Sequence, residues 1–165
     1  MPSNKDRLYV GLYARGGTVK MPGGEDKYHW ALLVRPKGED GDTRGKRFHA
    51  KERIYSGTQS VWEFSEQETG TASTLMILVR IQIAKVKSLK KLEASLRSEA
   101  LSTLQSNNKA LGTAVLDWTT ARDTAMWYVE QKALQHRFDG QAAPGQFDTS
   151  RVSTYSLLQG KELVP

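Results

Sequence analysis

The sequence predicts an α+β fold, with a mainly antiparallel five-stranded sheet followed by two helices. Three observations carry that prediction. Five β-branched and aromatic runs fill residues 7–86, the hydrophobic period becomes helical after Ser88, and glycine, proline and aspartate punctuate the runs.

RLYVGLYAR (residues 7–15) reads as a first strand, and GGTVKMPGGED (16–26), with four glycines and one proline in eleven residues, as a loop. KYHWALLVR (27–35) is the second strand. Its central WALLV is apolar on both faces, which places it inside the sheet rather than at an edge. The polar PKGEDGDTRGK (36–46) joins it in a long-looped hairpin to the third strand, RFHAKERIY (47–55). SVWEFSEQ (60–67) is the fourth strand and STLMILVRIQIAKV (73–86) the longest. In that last run Val79, Ile81 and Ile83 alternate with Arg80, Gln82 and Ala84, implying one packed face and one wetter face. Ser88 is a good N-cap, and Leu89, Leu92, Leu96 and Ala100 recur at helical spacing to about Leu104. QSNNKALG (105–112) breaks that helix. A second helical pattern runs from Thr113 to Gln135, with Ala114, Trp118, Ala121, Ala125, Val129 and Ala133 on one stripe. After the loop DGQAAPGQ (139–146), the tail RVSTYSLLQGKELVP (151–165) has room for a short strand.

A length of 165 residues fits a single domain, and 38% hydrophobic residues supply an ordinary core. The longest apolar run, LMILV, is strand length and far short of the roughly 18 residues of a membrane span. The opening MPSNKDRLYV has no apolar leader core, so an intracellular, cytoplasmic protein without a membrane segment is expected. The chain has no cysteine, which excludes disulfides, thiolate zinc sites and a cysteine nucleophile. A net charge of +6 permits anionic partners. The densest basic segment, KVKSLKKLEASLR (85–97), sets Lys85, Lys87, Lys90, Lys91 and Arg97 against Glu93, with no interleaved aromatics of the kind a single-strand binder uses. A solvated basic surface is the simpler account, and nucleic-acid binding is kept only as a weak alternative.

Neither ARGGTVK nor MPGGEDK has the glycine spacing of a phosphate-binding loop, nor a helix directly after it. No metal site is expected, because His29 and His49 lack a third ligand and Glu52 falls on the opposite strand face from His49. Imidazole titrates near neutral pH, so the two strand histidines are the candidates for acid–base chemistry. His29 shares a face with Ala31 and Leu33, and His49 with Arg47 and Lys51. On paired antiparallel strands two such positions sit opposite each other at about 4.5–5.5 Å between Cβ atoms. A lone strand histidine is more often structural, but two in matching aromatic-His contexts make catalysis and structure evenly balanced. His136, in QHRF, suits a helix C-terminus. Trp30, Trp62, Trp118, Trp127 and Tyr28 are aromatic enough to line an apolar pocket, although large aromatics are more often core.

The order LYVGLYAR, YHWALLV, RFHAK, LVRIQIAKV, LEASLR, a Trp-bearing helix, YVEQKALQHRF and LLQGKELVP resembles an uncharacterised family of small fungal proteins along nearly the whole chain. The resemblance implies two histidine strands followed by an Asn-Cys dipeptide three residues before the helix tryptophan. That His, His, Cys order is similar to the permuted papain-like arrangement of NlpC-type peptidases and retinol acyltransferase-like proteins, in which a thiolate attacks an acyl carbonyl. Here the tryptophan is Trp118, in TAVLDWTT, and the Asn-Cys positions fall on Ala114 and Val115. Thr113, Asp117, Thr119 and Thr120 lie nearby, but none replaces a thiol, so thiol hydrolysis is excluded.

Two readings survive. One is an enzyme without a nucleophile, isomerising, cyclising or eliminating a small organic molecule, with His29 and His49 as acid–base groups. Tyr28, Trp30, Asp117 and Trp118 would bind that molecule, and no cofactor is required. Recruitment to specialised metabolism fits a small fungal protein of this kind. The other is a catalytically dead binding or scaffold protein. The sequence leaves the oligomeric state open.

Overall fold

The computed structural model describes residues 5–38, 43–55, 59–70, 76–98 and 110–165. Its elements in chain order are β1 (Arg7–Ala14), β2 (Tyr28–Arg35), β3 (Arg44–Tyr55), β4 (Gln59–Gly70), β5 (Ile77–Val86), α1 (Leu89–Arg97), β6 (Leu111–Ala114), α2 (Trp118–Leu134), β7 (Ser153–Ser156) and β8 (Lys161–Val164). The class is α+β. Among the described residues, however, the sheet has eight strands rather than five, in the order β4-β3-β2-β1-β5-β7-β8, with β6 also paired to β5. It is mixed: β5 and β7 run parallel, and the other recorded pairings are antiparallel.

The sheet grows because β5 has a whole edge to satisfy. One edge pairs with β1; the other is shared by β7, opposite Val79 to Gln82, and β6, opposite Ala84 and Val86. Backbone groups left unpaired in a covered sheet are costly, and these two short segments supply their partners. That demand overrides the helical pattern at Thr113 and Ala114, which lie in β6, while Val115 N–H donates to the Ile83 carbonyl at 2.7 Å. Helix α2 therefore starts only at Trp118, capped by Asp117. Helix α1 begins as expected, with Ser88 Oγ accepting from Lys91 N–H. Its expected continuation through Ala100 and Leu104 lies outside the described residues.

Strand β1 is buried on both faces. Leu8, Val10 and Leu12 join Val34, Phe48, Val79, Ile81 and the inner faces of both helices, through Leu92, Leu96, Ala121, Ala125 and Val129, in the main core. Trp118 and Ala133 of the expected α2 stripe are instead exposed. On the other face Tyr9, Tyr13, Ala31, Leu33, Ile77 and Val152 form a second cluster. Gly11 permits this packing, since a Cβ there would lie 2.9 Å from Leu33 Cδ1.

The wetter face expected for β5 is not wet. Arg80 and Gln82 are buried; Arg80 Nε donates to Thr154 Oγ1 at 2.7 Å and its guanidinium lies 4.7 Å from the Tyr9 ring centre. The physical reason is that β7 brings a hydroxyl, and β1 an aromatic face, to an arginine that alternation alone would leave in water. A bulge against Leu8 and Tyr9 also turns Ala84 into the main core beside Ile83.

Candidate functional site

The site forms where two strands part. Strands β2 and β3 pair only at Leu32–Phe48, Leu33–Arg47 and Val34–Lys46, whereas β3 keeps pairing with β4 through His49–Ser65, Ala50–Phe64 and Glu52–Trp62. The β3–β4 hairpin thus leaves β2 just before the histidines. Carrying the β2–β3 register on by one pair would set His49 beside Ala31, two residues short of His29. The rings meet diagonally across the opening, not face to face as direct opposition would have them. His29 Nε2 and His49 Nδ1 are 3.0 Å apart, with ring centres at 4.9 Å and planes at 79°.

Two clefts adjoin this pair. The larger, about 480 Å³, is bounded by Tyr28, His29 and Trp62 together with the charged residues Arg15, Glu25, Asp26 and Arg122. The smaller, about 350 Å³, is more apolar and is bounded by His49, Leu32, Phe48, Phe64 and Leu96. Trp30, Ala50 and Trp118 line both; His29 borders the larger and His49 the smaller. Both volumes fall in the range of small-molecule sites.

The aromatic walls are held in place from several elements. A one-turn 3-10 helix at Glu25–Lys27 precedes β2, and the Glu25 carbonyl accepts from Trp30 Nε1 at 2.7 Å. Trp30 meets Trp118, the first residue of α2, edge to face at 5.2 Å between ring centres. Phe48 stacks on Phe64. Of the candidate residues, Tyr28, Trp30 and Trp118 are thus brought to the histidines. Asp117 lines neither cleft. Its carboxylate accepts from Thr120 N–H at 2.8 Å and Thr120 Oγ1 at 2.6 Å, bonds that hold it below the usual carboxylate range. Trp127 packs on Tyr128 and Tyr155, away from both clefts. His136 follows α2 with φ 62°, lies 2.8 Å from Asp139 Oδ2 through its Nδ1, and lines neither cleft.

Sequence reasoning missed Phe48, Phe64, Leu96, Arg15 and Arg122. Phe64 had a signal, since it shares one face of an alternating strand with Trp62; the arginines had none. Val115, the position that the resemblance assigns to the nucleophile, lines neither cleft.

Electrostatics keep both imidazoles neutral. Burial, followed by the nearby Arg47 and Arg15 charges, lowers the His29 pKa from its ordinary value. Burial, Arg47, His29 and Lys51 together bring His49 down to about 4. One N–H is therefore shared between the rings, and the tautomer decides which ring donates it. His49 Nε2 is buried and has no hydrogen-bond partner, while His29, on the larger cleft, has no second partner for Nδ1 among the described residues. Such a pair can accept a proton at His29 Nδ1, while the contact with His49 Nδ1 holds the His29 ring in place. Among the described residues, no cluster of three His, Cys, Asp or Glu side chains is placed to hold a metal ion. Nor is any helix there long and apolar enough to cross a membrane.

Residues 5–99 and 97–164 match the model of a family of unknown function, DUF6914. No curated protein and no solved structure matches the chain.

Proposed function

The chain belongs to the DUF6914 family of unknown function, and from that premise we propose that it carries out proton-transfer chemistry on a small organic molecule bound between the parted strands. The reaction is of the isomerisation, cyclisation or elimination type, with His29 and His49 as the acid–base pair, His29 taking the proton and His49 positioning its ring. One observation carries the proposal: the 3.0 Å contact between the imidazoles of two residues that border aromatic-lined clefts. A neutral imidazole is unprotonated at pH 7 and able to take a proton.

We also place the chain as a cysteine-less relative of permuted papain-like domains and of the small fungal proteins it resembles, working in the cytoplasm and recruited to specialised metabolism. What supports the papain-like kinship is that the first residue of α2, Trp118, lines the same clefts as the two histidine strands. Binding without turnover is the second reading. It is favoured by the absence, among the described residues, of any carboxylate hydrogen-bonded to either ring of the pair.

Deuterium exchange of 2-tetralone, a flat apolar ketone with acidic α-protons, tests the proposal. His29 removes an α-proton, the C–H pair moves into the enolate, and a deuteron from D₂O returns to carbon. Proton NMR should show exchange well above that of free imidazole at equal concentration, falling about 10²–10⁴-fold in His29→Ala or His49→Ala variants. Exchange no faster than free imidazole gives would leave only the binding reading.

A further inference from the structure

We infer that the larger cleft selects a flat aromatic or conjugated carboxylate, with Arg15 pairing to the carboxylate and the indoles of Trp62 and Trp118 holding the ring. This names the substrate class of the proposed acid–base site and rests on that reading.

The cleft is lined by two cations and two anions, engaged to different degrees. Asp26 stays charged: its carboxylate oxygens accept from Lys20 N–H at 2.7 Å and Met21 N–H at 3.1 Å, and with the Arg15 charge these hold it below the usual carboxylate range. Glu25 and Arg122 lie 3.7 Å apart, and Arg122 also pairs with Asp123 at 2.7 Å. Arg15 is left over. Among the described residues its one hydrogen bond is a long one, 3.3 Å, to the Asp26 backbone carbonyl, and no carboxylate forms an ion pair with it. A planar fork of N–H donors in that position matches a carboxylate in geometry as well as charge.

The walls argue for the rest of the molecule. Trp62 is 62% exposed and Trp118 54% exposed, although both border a cleft. Large aromatic faces left to water at a concave site favour a flat π partner. His29 borders the same cleft, so a ring stacked there brings a position near the carboxylate to the base.

Binding of 2-naphthoate and of its neutral isostere 2-naphthamide, followed by tryptophan fluorescence, tests the inference. Naphthoate should bind about fivefold tighter, the modest gain expected of an exposed charge pair. Arg15→Gln should abolish that preference, Arg15→Lys should retain part of it, and unchanged thermal unfolding would confirm that both variants fold. Equal affinity of the two probes, a preference that persists in Arg15→Gln, or binding of neither would overturn the inference. The tetralone exchange is read separately on the same protein. Exchange without a naphthoate preference removes the carboxylate inference alone, and a naphthoate preference without exchange removes the acid–base proposal alone.

Discussion

His49 is the residue on which the site's pH behaviour turns. Its folded pKa of about 4 lies below the ordinary 6.5, because burial and the Arg47 charge disfavour the imidazolium. Between those values the unfolded chain binds a proton that the folded protein refuses. Stability therefore rises with pH across this window and is lost as pH falls through it. His29 is shifted in the same direction and adds to the slope. Thermal melts at pH 7 and pH 5 should show a drop in Tm that is smaller in His49→Gln; an equal drop in both would remove His49 as its source. Alternation along RFHAK and YHWAL was enough to give each histidine its face, since side-chain direction in a strand is a local property. The 3.0 Å contact was not legible, because it depends on how two strands diverge.

At the scale of elements, the β3–β4 hairpin is tied at one end and departs at the other. Lys46 bridges Glu66 at 3.0 Å and Glu93 of α1 at 2.5 Å, and Arg97 of α1 reaches Glu66 at 2.8 Å. This ties the hairpin to α1 near the place where β3 still pairs with β2. Past Phe48 the hairpin has only its own ladder, and the cleft opens there. Helix α2 supplies the opposite wall, and Asp117 fixes where it starts. Asp117→Ala should cost about 1 kcal/mol, the usual worth of an N-cap, and lower Tm by roughly 2–4 °C for a chain of this size. Differential scanning calorimetry checks it, and an unchanged Tm would show the cap to be dispensable. The α2 start was misplaced in the sequence because a helical stripe and a short edge strand look alike over four residues.

Across the whole molecule the C-terminal tail locks the sheet to α2. Lys132 is buried, with its side chain 4% exposed, and pairs with Glu162 of β8 at 2.5 Å. Tyr128 Oη donates to Glu162 Oε1 at 2.7 Å and approaches the Val164 carbonyl at 3.0 Å. Burial, with the Glu162 contact, drives the Tyr128 pKa far above its ordinary value, so the hydroxyl keeps its proton as a donor. Glu162→Gln leaves the Lys132 charge buried without a carboxylate and should cost about 1–3 kcal/mol. Adding Lys132→Met should recover much of that loss in urea unfolding; no recovery would place the cost elsewhere in the tail.

By itself the sequence determined the strand runs, the faces of His29 and His49, the cap of α1 and the lack of a thiol, all of them properties of neighbouring residues. The tertiary structure decided the rest. It recruited β6 and β7 to one edge of β5, drew Arg80 and Gln82 out of water, and opened the hairpin so that distant tryptophans and Arg15 border one cleft. The physical reason is that side-chain alternation is set within a few residues, whereas the partner of a strand edge is set by whichever remote segment can satisfy its backbone groups.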